Sequence, residues 1–130
     1  MLDGLGRYAE SEPIYRHALT VFASVFGEKH PEVAVNLNNL AALRWAQGDA
    51  VEAESLYLRS LGIKRELLGD SHPDTALTLL NYASMLCDLE RKGEARSMVL
   101  DALRVFESAL EPSHPRIAAA RELLGRCSIQ

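Results

Sequence analysis

Three histidines are the first residues of this sequence whose type and spacing could do chemistry. His30, His72 and His114 each precede a proline, and they follow one another at a constant interval of 42 residues. An imidazole binds a metal ion at about 2 Å, whereas helices that stack with a fixed period lie about 10 Å apart. A metal site shared by the three is therefore excluded in a monomer, and no cofactor is expected.

The His-Pro pairs instead mark the starts of helices. Proline is favoured at the first helical position, where its missing N–H leaves no intrahelical bond unmade and its fixed φ starts the helix. The histidine before it then occupies the N-cap or lies next to it, so we predict a structural role for all three.

The two cysteines and the acidic pairs do not form a catalytic set. Cys87 and Cys127 belong to no Cys-x-x-Cys pair, which predicts free thiols in a reducing compartment. No histidine near Cys87 in sequence or at its repeat position could lower the pKa of its thiol. Four glutamates are expected in first helical turns, where carboxylates favour the helix dipole: Glu10, Glu12, Glu52 and Glu54. We predict that the protein is not an enzyme.

Composition favours one soluble domain that spans residues 1–130. The chain is 48% hydrophobic and 25% charged, with a formal net charge of -4 and no basic run, which argues against nucleic acid or an anionic membrane as partner. No segment approaches the roughly 20 apolar residues that cross a bilayer. The start, Met1 to Gly6, is too short and polar for a secretion signal. The prediction is a cytoplasmic protein.

The 42-residue period extends well beyond the His-Pro pairs. A third copy matches less well, as terminal repeats often do. The first copy has Gly6, Glu10, Tyr15, Leu19 and Gly27 where the second has Gly48, Glu52, Tyr57, Leu61 and Gly69. A fixed period of this length indicates a protein built by stacking one structural unit.

Apolar residues within each period follow helical spacing, which predicts an all-α fold of six antiparallel helices. Small residues such as Ala41 and Ala83 recur where two helices would approach closely. Glu90 stands where Gly48 would predict a glycine, so the turn there is expected to differ. The predicted segments are a lone first helix at 7–26, repeats at 31–68 and 73–110, and a terminal capping helix at 115–128.

These residues resemble the small and large signature of tetratricopeptide repeats. The resemblance rests on Leu40, Ala41, Gly48, Ala53, Tyr57 and Ser60, and again on Tyr82, Ala83, Ala95, Val99 and Ala102. The 42-residue period is similar to the variant found in kinesin light chains. The resemblance implies a right-handed superhelix of helix pairs, and a scaffold whose concave groove binds a peptide or a protein segment.

Positions carried over from that family give the expected groove. Asn39 and Asn81 fall where the family often holds peptide backbone with an amide. Arg44 takes a site that is usually apolar, and Leu123 replaces a third asparagine. The groove residues are Val35, Asn38, Asn39, Ala42, Trp45 and Ala46, then Leu77, Leu80, Asn81, Ser84, Cys87 and Asp88, and finally Glu122 and Arg126.

Several of these residues have two interpretations. Trp45 is either a binding hot spot or core beneath the next repeat. Asn39 and Asn81 either contact a ligand or brace a neighbouring helix. Glu122 and Arg126, at i and i+4, form either a solvated pair or a ligand clamp.

The first helix also suggests self-association, because it lacks the preceding partner that later helices have. Leu5, Tyr8 and Phe22 would form an uncovered apolar face. Either upstream repeats or a second chain, giving a homo-oligomer, would cover that face.

Overall fold

The computed structural model describes the backbone of residues 4–128 and the side chains of residues 12–128. The described residues form six α-helices and contain no strand, which confirms the predicted all-α fold. Most boundaries agree with the predicted ones to within one or two residues, and the first helix begins three residues earlier than predicted. The helices are α1 (Gly4–Phe26), α2 (Pro31–Ala46), α3 (Ala50–Leu68), α4 (Pro73–Asp88), α5 (Lys92–Ala109) and α6 (Pro115–Ser128).

Each His-Pro pair starts a helix in the same way. Nδ1 of His30 accepts the backbone N–H of Glu32 at 3.1 Å, and Nδ1 of His72 accepts that of Asp74 at 3.0 Å. His114 repeats the bond with the N–H of Arg116, at 3.1 Å. Each imidazole accepts at Nδ1, so its ring proton is on Nε2. The predicted capping role is confirmed.

The chain divides into two compact units, the first ending at Leu67 and the second beginning at Leu68. In the first unit the Ser60 hydroxyl donates to the backbone oxygen of Ala34 at 2.6 Å and so holds α3 against α2. The side chains of Leu37, Leu40, Ala41 and Ala53 are buried there. The interpretation of the whole chain as a single domain remains a prediction.

The second unit packs α5 against both α4 and α6. Its core is mostly apolar, although Thr75 and Thr78 are also buried. Small residues let the helices approach, and large ones fill the remaining space. The deeply buried side chains of this unit include those of Ala83, Leu86, Val99, Ala102, Phe106 and Ile117.

The turn between α4 and α5 does not differ from the turn between α2 and α3, so that expectation was wrong. Gly48 has φ 89° and Glu90 has φ 65°, both left-handed. The N–H of Asp49 donates to the oxygen of Arg44 at 2.9 Å, and the N–H of Arg91 donates to that of Leu86 at 2.9 Å. The same bonds close both turns, and they hold Glu90 in a conformation that L-residues disfavour.

None of the six described helices is suited to cross a membrane. None of them combines the length and the apolar character that a membrane span requires.

Candidate functional site

One side of α2 remains accessible, and it is the side predicted to line a groove. Val35 and Ala42 are exposed, and Asn38, Asn39 and Trp45 are half-buried. The opposite side of the helix is closed, since it carries the buried residues Val33, Ala34, Leu37, Leu40 and Leu43. Val35, Asn38, Asn39, Ala42 and Trp45 are called the α2 face below.

The asparagines of the two units differ in what they contact. Asn39 forms no side-chain hydrogen bond with any residue that the structure describes, whereas Asn38 and Asn81 each have a partner within the protein. Asn36, on the buried side of α2, donates to the backbone oxygen of Glu32 at 2.8 Å. The amide of Asn39 is therefore the one that can bond to a ligand without losing an internal bond.

The equivalent side of α4 is more closed. Leu77, Asn81 and Ser84 are half-buried, and Asp88 is exposed. Leu80 is only 6% exposed, so it offers a partner little surface.

The pair expected between Glu122 and Arg126 is not the contact that the structure shows. Both side chains are exposed, but the Arg126 guanidinium donates to Oδ1 of Asp88 at 2.6 Å. This bond joins α6 to the end of α4. A second ion pair, between Arg121 and Glu107 at 2.9 Å, joins α6 to α5.

Arg44 lies at the centre of a charged cluster that sequence reasoning missed. Its guanidinium donates to Oε1 of Glu12 at 2.8 Å and to Oδ2 of Asp49 at 2.7 Å, and it approaches Oε1 of Glu52 at 3.4 Å. Arg16 also bonds to Glu12 and Glu52. These five residues, called the Arg44 cluster, join α1, α2 and α3. The only sequence signal was an arginine where the family favours an apolar residue.

The surroundings of Glu12 and Asp49 lower the pKa values of these two carboxyl groups. Hydrogen bonds from Arg16, and then from Arg44, hold the pKa of Glu12 below its ordinary value. The pKa of Asp49 is lowered first by the backbone N–H of Glu52 and then by Arg44. Glu12 lies well inside α1, so the dipole role predicted for it was wrong. Glu52 does lie in the first turn of α3, as predicted.

Cys87 and Cys127 are in contact in the second unit, although no motif or spacing indicated their proximity. Both are buried free thiols, and burial together with the hydrogen bond that the Cys127 thiol makes to Cys87 raises the pKa of Cys127 to about 11. A thiol with so high a pKa is a poor nucleophile at neutral pH. Within the described part of the chain, no group of three histidine, cysteine or acidic side chains could hold a metal ion.

Comparisons with known proteins agree with this geometry. A family model described as tetratricopeptide repeat matches residues 3–66 and 36–108. No curated protein matches.

Solved structures of similar fold also match the chain. The crystal structure of BtubC (BKLC) from P. vanneervenii has a TM-score of 0.86 at 22% identity, over 94% of this chain and 49% of that one. The crystal structure of the Podosopora anserina putative kinesin light chain with nearly identical TPR-like repeats has a TM-score of 0.84 at 20% identity, over 94% and 58%. This chain thus spans about half of the length of these structures. The repeat period, the six helices and the family match together show that the chain belongs to the tetratricopeptide repeat family, whose members generally mediate protein–protein interaction and are typically non-enzymatic scaffolds.

Proposed function

We propose that the protein is an interaction module that binds an extended peptide or partner segment along the α2 face. The observation that carries the proposal is the composition of that face. It combines the half-buried ring of Trp45 with the exposed apolar side chains of Val35 and Ala42. It also carries the amide of Asn39, which has no hydrogen bond with the side chains or backbone of residues that the structure describes. Binding sites for peptides commonly combine an aromatic anchor with a few groups that bond to the backbone.

The binding mechanism is preorganisation. The buried side of α2 and the Ser60 bond hold the helix in place, so little order has to be gained by the protein when a segment binds. A rigid surface lowers the entropic cost of association. Taken by itself, the corresponding side of α4 in the second unit is less suited to binding a segment, because Leu80 is buried and Asn81 already has a partner.

The test uses Trp45, the only tryptophan, as an internal reporter. A random peptide library is selected on the intact protein, and titration of each enriched peptide is followed by tryptophan fluorescence. We expect the emission of Trp45 to shift on binding. Asn39→Ala and Val35→Ser should each weaken binding by about tenfold, since a group that contacts the ligand is lost.

A matched control is available on another helix. Leu67 is 42% exposed and Val35 is 41% exposed, so Leu67→Ser removes a similar apolar surface away from the α2 face. Unchanged affinity is expected for this control. Equal affinities for wild type, Asn39→Ala and Val35→Ser would rule out the α2 face as the binding surface.

A second candidate function, self-association through α1, has an observation of its own. Ile14, Val21 and Val25 are 68%, 42% and 66% exposed, and their spacing places them on one side of the helix. Of the residues first expected there, only Phe22 has a side chain that the structure describes. Phe22 is half-buried and stacks on Phe26 at 5.9 Å, and the side chains of Leu5 and Tyr8 lie outside the described residues. Loss of a sedimenting dimer in Val25→Asp would support this candidate, and a wild-type monomer would contradict it.

A further inference from the structure

A separate apolar stripe runs along the outward side of α3. Val51 is 84% exposed and Leu58 is 50% exposed. Ser55 and Gly62 are also exposed and continue the stripe at helical spacing. An open groove of about 470 Å³ follows it, lined by Val51, Glu54, Ser55, Leu58 and Arg59. The four residues Val51, Ser55, Leu58 and Gly62 are called the α3 stripe, and they alternate large with small.

Packing within the chain does not account for Gly62. Glycine inside a helix destabilises it relative to alanine, and the backbone of Gly62 is not left-handed. A Cβ added at this position would meet nothing within 4 Å. The space beside Gly62 is therefore open, and the small residue lets a side chain from a second copy approach the helix closely.

Charge on one flank of the stripe is unbalanced in a way that a second copy would correct. The Arg44 cluster holds three carboxylates and two guanidinium groups, so one negative charge is in excess. Glu52 of this cluster lies seven residues before Arg59, on the same flank of α3. Arg59 is exposed and has no ion pair with any residue that the structure describes.

We propose that the α3 stripe packs against the α3 stripe of a second copy in an antiparallel pair with twofold symmetry. In that register Leu58 lies opposite Ser55 of the second copy, and Val51 lies opposite Gly62 of the second copy. Large side chains then fill the gaps beside small ones, which is how closely packed helices interlock. In an antiparallel pair with twofold symmetry, the side of α3 that carries Glu52 and Arg59 faces the same way in both copies. Arg59 of one copy therefore reaches Glu52 of the second copy.

Helix α5 shows that this arrangement is particular to α3. One period later, Gly93 replaces Val51, Arg104 replaces Gly62 and Asp101 replaces Arg59. The large side chain at position 51, the gap and the charge pattern are thus not repeated. Leu100 keeps the position of Leu58 and is 37% exposed, which makes it a control of the same residue type.

Sedimentation equilibrium of the intact protein, from micromolar to millimolar concentration, tests the proposal. A contact over three turns of one helix is smaller than a standard interface of about 1,600 Å², so a weak dimer is expected. Leu58→Gln and Arg59→Glu should weaken it by about tenfold or more. Leu100→Gln and Arg96→Glu, on α5, should leave it unchanged.

The Gly62→Gln variant distinguishes an effect on dimer formation from an effect on the stability of the folded monomer. The added side chain has room in the monomer, and glutamine favours a helix more than glycine does. We expect a higher thermal midpoint at low concentration together with a weaker dimer. A monomer at every concentration would overturn the proposal, as would a dimer that Leu58→Gln and Gly62→Gln leave intact. Loss of the dimer only in Val25→Asp would assign it to α1 and overturn the proposal as well.

Orientation is tested by oxidising a mixture of Ser55→Cys and Leu58→Cys proteins. Antiparallel pairing predicts the mixed disulfide, because these positions lie opposite one another. Homodisulfides in place of the mixed product would indicate a parallel pair and overturn the proposed geometry. Wild type oxidised in the same way is the control for Cys87 and Cys127.

Discussion

Position 44 in the first unit and position 86 in the second unit are equivalent in the repeat, yet they hold opposite residue types. Arg44 is half-buried among Glu12, Asp49 and Glu52, whereas Leu86 is fully buried in apolar core. The surroundings changed with the residue, since Arg91 replaces Asp49 one period later. A repeat position thus fixes the backbone and the direction of a side chain, while its neighbours decide whether that place is polar or apolar.

Exchange of the residue types at positions 44 and 86 should produce the largest loss of folding stability. Leu86→Arg places a charge in apolar core beside Arg91, where no acidic residue replaces Asp49 and Glu94 is already paired with Arg91. A buried charge without a partner costs about 3–5 kcal/mol. Urea denaturation followed by circular dichroism measures the loss. Arg44→Leu should destabilise less, because the carboxylates that it abandons are partly exposed and reach water. Equal losses in the two variants would mean that the surroundings do not decide the residue type.

Ala41 and Ala83 are equivalent positions at which the two units should behave alike. Neither has any exposed surface. Replacement of either alanine by leucine should overpack the core and cost about 1–3 kcal/mol. Thermal melts compare Ala41→Leu with Ala83→Leu, and Ala42→Leu, at an exposed position, is the control. A melt of Ala83→Leu that matches wild type would contradict the close helix approach.

Glu90 and Gly48 test the shared turn. Glu90→Gly removes the strain of a left-handed L-residue and should stabilise the protein by about 1 kcal/mol. Gly48→Glu should introduce the same strain into the first unit. Glu90→Gln keeps the strain and removes only the weak contact with Lys92 at 3.5 Å. If Glu90→Gln stabilises as much as Glu90→Gly, charge and not conformation is the cause.

Low pH should destabilise the first unit, because it protonates carboxylates of the Arg44 cluster. The folded-state pKa values of Glu12 and Asp49 are lowered, so their ion pairs stabilise the fold above the ordinary values of 4.5 and 3.8. That contribution is lost as the pH falls through the lowered values. We expect the thermal unfolding midpoint, followed by Trp45 fluorescence, to decrease as the pH is lowered from neutral to about pH 3. The decrease should be smaller in Arg44→Leu, and an identical decrease would contradict this role of the cluster.

Local rules predicted the parts of the structure that depend on local interactions. The histidine caps follow from the His-Pro order, because a cap and the N–H that it accepts are two residues apart. The exposed side of α2 follows from helical periodicity. The groove residues themselves remain a prediction, since their role depends on a ligand.

Contacts between distant side chains were not predictable in this way. Glu12 and Arg44 are 32 residues apart, and Arg126 and Asp88 are 38 apart. The residues next to each of them in the sequence do not indicate which distant side chain it contacts. The turn at Glu90 was misjudged because hydrogen bonds around it hold a conformation that the residue type disfavours.

The order of residues alone determined the repeat period, the helix starts and the buried side of each helix, because these depend on spacings within a few turns of backbone. The tertiary structure alone decided which charges meet, which thiols touch and which apolar stripe on α3 stays uncovered. Those outcomes depend on how separate helices pack, and a long flexible side chain can reach any of several partners until packing fixes its position.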